Sequence, residues 1–118
     1  MQTKDALGRY GEALAARFLE KTGWSVLDRN WRCPSGELDI VARRADVLAV
    51  CDVKTRRSER FGTPQEAVTP AKLERLRRLA GLWTASHPER FDTVRIDVIA
   101  VIVDQAGMTR LTHIEGVL

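Results

Sequence analysis

The order of apolar patterns along this chain of 118 residues predicts a mixed α/β fold, one sheet flanked by helices. Three observations carry that expectation. Helix-period stretches occur near the start and again after Pro70, strand-like runs fall between and beyond them, and the second helix joins a strand hairpin to a long apolar strand. A strand, a crossover helix and another strand require a parallel pairing in an otherwise hairpin-built sheet. Hydrophobic residues make up 44% and charged residues 30%, with eight Gly and four Pro, which excludes collagen-like, low-complexity and disordered chains. No repeat or long linker divides the chain, so residues 1–118 are expected to share one core.

From about Lys4 to Thr22, Leu7, Tyr10, Gly11, Leu14 and Phe18 fall on one helical face, and Gly23 caps the C-terminus. Trp24 to Asp28 reads as a short strand. Arg29 to Gly36, with Asn30, Pro34, Ser35 and Gly36, reads as a loop. Glu37 to Arg43 and Val47 to Lys54 follow as an antiparallel hairpin around Arg44, Ala45 and Asp46. Arg56 to Gly62 is polar and basic, and Thr63, Pro64 and Glu66 match a capping box that starts a short helical turn. Thr69 and Pro70 open the longest later helix, to about Ser86, with a core stripe of Leu73, Leu76, Leu79, Ala80 and Trp83. Val94 to Val103 is almost continuously apolar, as a strand covered on both faces would be. Asp104 to Gly107 turns the chain into a last strand, Arg110 to Ile114.

Several function classes fall away. Lys4, Asp5, Arg9, Glu12, Arg17 and Glu20 interrupt any apolar signal segment, and the longest wholly apolar run, Val98 to Val103, is far too short to span a membrane. A cytoplasmic protein is expected. Cys33 and Cys51 lack zinc-ligand spacing and are expected to stay reduced, and His87 and His113 belong to no motif. A net charge of +3 permits nucleic acid as a partner without demanding it.

The informative stretch is Gly36-Glu37-Leu38-Asp39-Ile40-Val41, followed after the turn by Asp52-Val53-Lys54-Thr55-Arg56. Asp52 and Lys54 are two apart on a strand and share a face. A two-residue turn brings Asp39 onto that face beside Asp52; a three-residue loop puts it on the other. In the two-residue case Leu38, Ile40, Ala42, Ala49, Cys51 and Val53 form an apolar core face, while Glu37, Asp39, Asp52 and Lys54 gather opposite. Clustered carboxylates need a compensating cation, and hard divalent ions such as Mg²⁺ or Mn²⁺ are held by one or two carboxylates with water and substrate phosphate. Asp39 and Asp52 would hold the metal, Lys54 would orient water or stabilise charge at phosphorus, and Glu12 on the first helix could add a carboxylate. The competing readings are a cross-strand salt-bridge cluster for Asp39, Asp52 and Lys54, and a solvent-facing Glu12. Asp97, in an apolar strand, needs a partner, and Arg95 is the candidate for a structural pair. Trp24, Trp31 and Trp83 read as packing residues, with Trp31 the one positioned for a minority role against substrate.

The spacing Gly-Glu-Leu-Asp then Asp-Val-Lys-Thr-Arg resembles the PD-(D/E)-x-K signature of metal-dependent nucleases. More closely, Gly11-Glu12, Arg29-Asn30-Trp31-Arg32, Gly36 to Val41, Asp52 to Arg56, Phe61-Gly62-Thr63-Pro64 and Glu66-Ala67-Val68 resemble the YraN family of small bacterial proteins. The resemblance implies a restriction-endonuclease-like fold with an αβββαβ core, similar to archaeal-type Holliday junction resolvases. It implies Asp39 and Asp52 as metal ligands, Lys54 as the catalytic lysine and Glu12 as the helix glutamate. Leu38 stands where the signature has proline, and Asp52 where Glu is commoner, a ligand shorter by one methylene. The implied activity is Mg²⁺- or Mn²⁺-dependent hydrolysis of DNA, including branched or single-stranded repair intermediates; a homodimer follows by analogy, since two strands need two active sites. The alternatives are a nucleic-acid-binding or assembly module without catalysis and a scaffold whose charged sheet face binds protein.

Between Lys54 and Arg78, eight Lys and Arg stand against three Glu, a local balance of +5, while the rest of the chain sums to −2. A phosphate backbone is therefore expected along Arg56, Arg57, Arg60, Lys72 and Arg75, although some of these also fit a solvated surface.

Overall fold

The computed structural model describes residues 5–58, 60 and 68–117. The first helix, α1 (Ala6–Lys21), starts where the Asp5 carboxylate accepts a hydrogen bond from the Gly8 amide at 2.7 Å, satisfying one of the unpaired first-turn donors. It ends at Thr22 and Gly23, the latter at φ 95°, and the Trp24 amide folds back to the Leu19 carbonyl. Its buried face overlaps the expected one, since Leu7 and Leu14 pack against the core beside Gly11, but it is centred on other residues. Gly11, Glu12, Ala15, Ala16 and Leu19 are buried, whereas Tyr10 is exposed. The small residues face the sheet because α1 approaches it closely: a Cβ on Gly11 would collide with the Thr55 side chain.

Strands β1 (Ser25–Cys33), β2 (Gly36–Arg44) and β3 (Val47–Arg56) form consecutive antiparallel pairs. The loop expected over Arg29 to Gly36 shrinks to Pro34 and Ser35, because Cys33 pairs with Gly36. Irregularities are absorbed inside β1 instead, by a register shift between Val26 and Asp28 and a positive φ of 53° at Asn30. The β2–β3 turn has two residues, since Arg44 pairs with Val47, and Ala45 takes φ 53°. Helix α2 (Pro70–Ala85) then crosses to β4 (Thr93–Val103), which runs parallel to β3, and β5 (Thr109–Ile114) pairs antiparallel with β4. The sheet order is β1-β2-β3-β4-β5. This mixed α/β architecture is compatible with the restriction-endonuclease-like fold.

Both sheet faces are covered. On one, α1 packs Ala15, Ala16 and Leu19 against Ile40, Ala42, Ala49, Cys51, Ile99 and Val101. On the other, the expected stripe Leu73, Leu76, Leu79, Ala80 and Trp83 of α2 packs against Leu38, Val41, Leu48, Val50 and Ile96. Leu38 was expected with Ile40 and Ala42 but joins the α2 core, because strict alternation breaks where the β2–β3 pairing stops at Ile40 and Cys51. Trp24 and Trp83 are core residues of opposite faces, and Trp31 packs partly buried against the α2 core. The capping-box segment at Thr63, Pro64 and Glu66, together with Gln65, lies outside the described residues. Among the described residues, no helix is long and apolar enough to cross a membrane.

Candidate metal and phosphate site

Continuing the β2–β3 register past Ile40 and Cys51 brings Asp39 opposite Asp52, but the two strands have parted there. The Asp39 side chain fills the gap: its Oδ2 accepts the Val53 amide hydrogen at 2.8 Å, taking the place of a ladder bond. That contact turns the carboxylate toward β3. Asp52 and Lys54 follow on the same face of β3, and all three side chains line a cleft of about 620 Å³ beside α2.

The far wall comes from α2. Thr69 caps this helix by accepting the Lys72 amide at 3.1 Å, so the first turn is fixed. Lys72 and Arg75, three residues apart and hence on one helix face, enter the cleft. Lys72 Nζ lies 3.2 Å and Lys54 Nζ 3.6 Å from Asp52 Oδ2. Although flanked by two ammonium groups, this buried oxygen accepts no hydrogen bond of good geometry. The Asp52 side chain is only 9% exposed. Burial and the neighbouring Lys72 ammonium push the Lys54 pKa below the usual lysine value, against the opposing pull of Asp52 and Asp39.

A hard cation fits this donor set. Asp39 and Asp52 offer carboxylate oxygens, one of them desolvated and without a hydrogen bond, which is the kind of group Mg²⁺ or Mn²⁺ takes. Glu37 also lines the cleft, held by Arg32 Nε at 2.9 Å across the β1–β2 turn. Arg32 was missed as a site residue because its segment read as a loop, although the Cys33–Gly36 closure makes it the cross-strand partner of Glu37.

The remaining expected residues lie elsewhere. Glu12 is buried, 3% exposed, on α1, which packs on the opposite sheet face, and it is not among the residues lining the cleft. Of the basic residues, Lys72 and Arg75 line it. Arg56 ends β3, and Arg57 and Arg60 follow as exposed residues outside the lining. Cys33 and Cys51 are free thiols.

A second cluster sits on the α1 face. Arg95 grips Asp97 as expected, through Nε to Oδ1 at 2.9 Å and a terminal nitrogen to Oδ2 at 3.0 Å. His113, which carried no sequence signal, adds Nε2 at 2.7 Å from Asp97 Oδ2, and the Gly116 amide donates to Oδ1 at 2.9 Å. Burial raises the Asp97 pKa, but the His113, Arg95 and Gly116 hydrogen bonds outweigh it and hold the carboxyl below its usual value. Cys51 lies within ligand distance of this group, yet burial pushes its thiol far up, so it stays protonated. With the Asp97 oxygens fully engaged, the cluster ties β4 to β5 and the C-terminal segment.

The model of "Uncharacterised protein family UPF0102" matches residues 11–101. A UPF0102 protein of Kineococcus radiotolerans is 56% identical over 118 residues, covering 99% of this chain and 97% of that one. One of Beutenbergia cavernae is 55% identical over 117 residues, covering 99% of both chains, and one of Arthrobacter sp. is 52% identical with the same coverage. The residues that suggested the YraN family and these near full-length matches agree, and the chain belongs to that family, UPF0102.

Proposed function

We propose that this protein is a Mg²⁺- or Mn²⁺-dependent nuclease that hydrolyses phosphodiester bonds in cytoplasmic DNA, with branched or single-stranded repair intermediates as its substrates. The observation that carries the reading is the desolvated Asp52 oxygen, without a hydrogen bond, next to Lys54 in a cleft it shares with Asp39. Asp39 and Asp52 would hold the cation, which when bound supplies Lewis-acid polarisation of a phosphoryl oxygen and a more acidic water. Lys54, with its ammonium disfavoured, holds or moves a proton at Nζ and stabilises charge at phosphorus. Arg75 and Lys72 on the α2 wall position the phosphate backbone.

A panel of branched, single-stranded and duplex DNA, each with Mg²⁺, Mn²⁺ or a chelator, tests this. Cleavage confined to the metal-containing reactions is the expected result, and no cleavage of any substrate with either metal removes the proposal. One observation favours a second reading, a nucleic-acid-binding module without catalysis: two lysines already neutralise Asp52. That module would bind in a salt-sensitive way and keep its affinity when Asp39 and Asp52 are removed.

A further inference from the structure

Asp52 has two cationic neighbours of unequal kind. Lys54 extends from the same strand, two residues along, with Nζ at 3.6 Å. Lys72 comes from α2 and is the nearer, at 3.2 Å, with a side chain 20% exposed. Its backbone is fixed by the Thr69 cap, so only its flexible four-carbon stem has to move for the ammonium to leave. A divalent cation sits about 2.1 Å from a carboxylate oxygen. An ammonium on that same oxygen would then face a double positive charge at close range in a poorly solvated cleft.

We propose that the Lys72 ammonium is an internal counter-ion that competes with the divalent cation for Asp52, so that metal loading displaces Lys72 and turns it, with Arg75, toward the phosphate backbone. This rests on the metal-dependent reading above and adds to it a residue that sets when the site loads. Arg75 is the internal control, since it carries the same charge on the same helix face and makes no ion pair with Asp52 among the described contacts.

The test is titration of Mn²⁺, read as free ion by electron paramagnetic resonance, into wild type, Lys72→Met, Lys72→Gln, Arg75→Met and Asp52→Asn, each checked for folding by circular dichroism. Both Lys72 variants should bind Mn²⁺ about tenfold more tightly, the scale of one partly buried ion pair, and Arg75→Met by less than about threefold. Unchanged or weaker binding in both Lys72 variants overturns the competition, as does an equal gain in Arg75→Met. If Asp52→Asn binds as wild type does, or if no protein in the series binds, the metal reading itself fails. With Ca²⁺ in place of Mn²⁺, wild type should bind a single-stranded oligonucleotide more tightly than in chelator; an equal gain in Lys72→Met contradicts the second half of the proposal.

Discussion

Asp39 accepts the Val53 amide hydrogen at Oδ2, and that bond explains why an aspartate, with its short reach, occurs at the point where β2 and β3 separate. Asp39→Ala leaves that amide without its partner as well as removing a ligand, so it should cost about 1–3 kcal/mol in chemical denaturation, and Asp39→Asn should restore much of the stability but not metal binding. Asp97 is a different case. Its depressed pKa means that its contribution to stability is complete above the unfolded value, near 3.8, and is lost as pH falls through the lower folded value. Asp97→Ala should therefore destabilise by about 1–3 kcal/mol at neutral pH, since His113 and the Gly116 amide lose their partner while Arg95 keeps Glu115, and the difference from wild type should shrink in acid melts below pH 3.8. Much at this scale was legible. The Asp39, Asp52 and Lys54 group followed from strand parity and a short turn, and Arg95 with Asp97 from a charge in an apolar strand. His113 was not legible, because β5 brings it to Asp97 from 16 residues away, and neither was the Lys72 pairing, which depends on how α2 docks.

Elements were read most reliably where a cap and a periodic stripe coincided. Thr69, Pro70 and the five buried residues of α2 carry both signals, and the helix forms where they place it. The α1 face was read in part: Leu7, Gly11 and Leu14 pack as their period predicts, but Tyr10 is exposed, and the close approach at Gly11 leaves no room for a side chain there. Gly11→Ala should consequently cost about 1–3 kcal/mol by overpacking, although alanine is the better helix former, and Thr55→Ala in the same chain should recover part of the loss. A Gly11→Ala protein as stable as wild type would mean that α1 sits farther from β3. The β1 segment was hidden by Asn30, Pro34 and Gly36, all turn formers, of which only the Pro34-Ser35 turn is used to reverse the chain.

For the molecule as a whole, one sheet joins two cores, with Trp24 in the core under α1 and Trp83 in the core under α2. Because every central strand contributes to both, the cores should unfold together: variants retaining only Trp24 or only Trp83 should report coincident denaturant transitions. The charge distribution belongs to this scale too. Of the basic residues in the middle of the chain, Lys54, Lys72 and Arg75 line the cleft on folding, joined there by Arg32 from β1. Three or four phosphate contacts there predict that duplex DNA binding weakens roughly 40- to 150-fold between about 50 and 200 mM salt. The central claim is that Asp52 serves metal-dependent chemistry rather than folding or binding alone. Its most direct test is the Mn²⁺-dependent cleavage rate of wild type against Asp52→Ala on one substrate, with both proteins saturated with DNA. The account predicts a loss of at least about 100-fold with DNA binding retained; an Asp52→Ala protein that cuts as fast as wild type would contradict it.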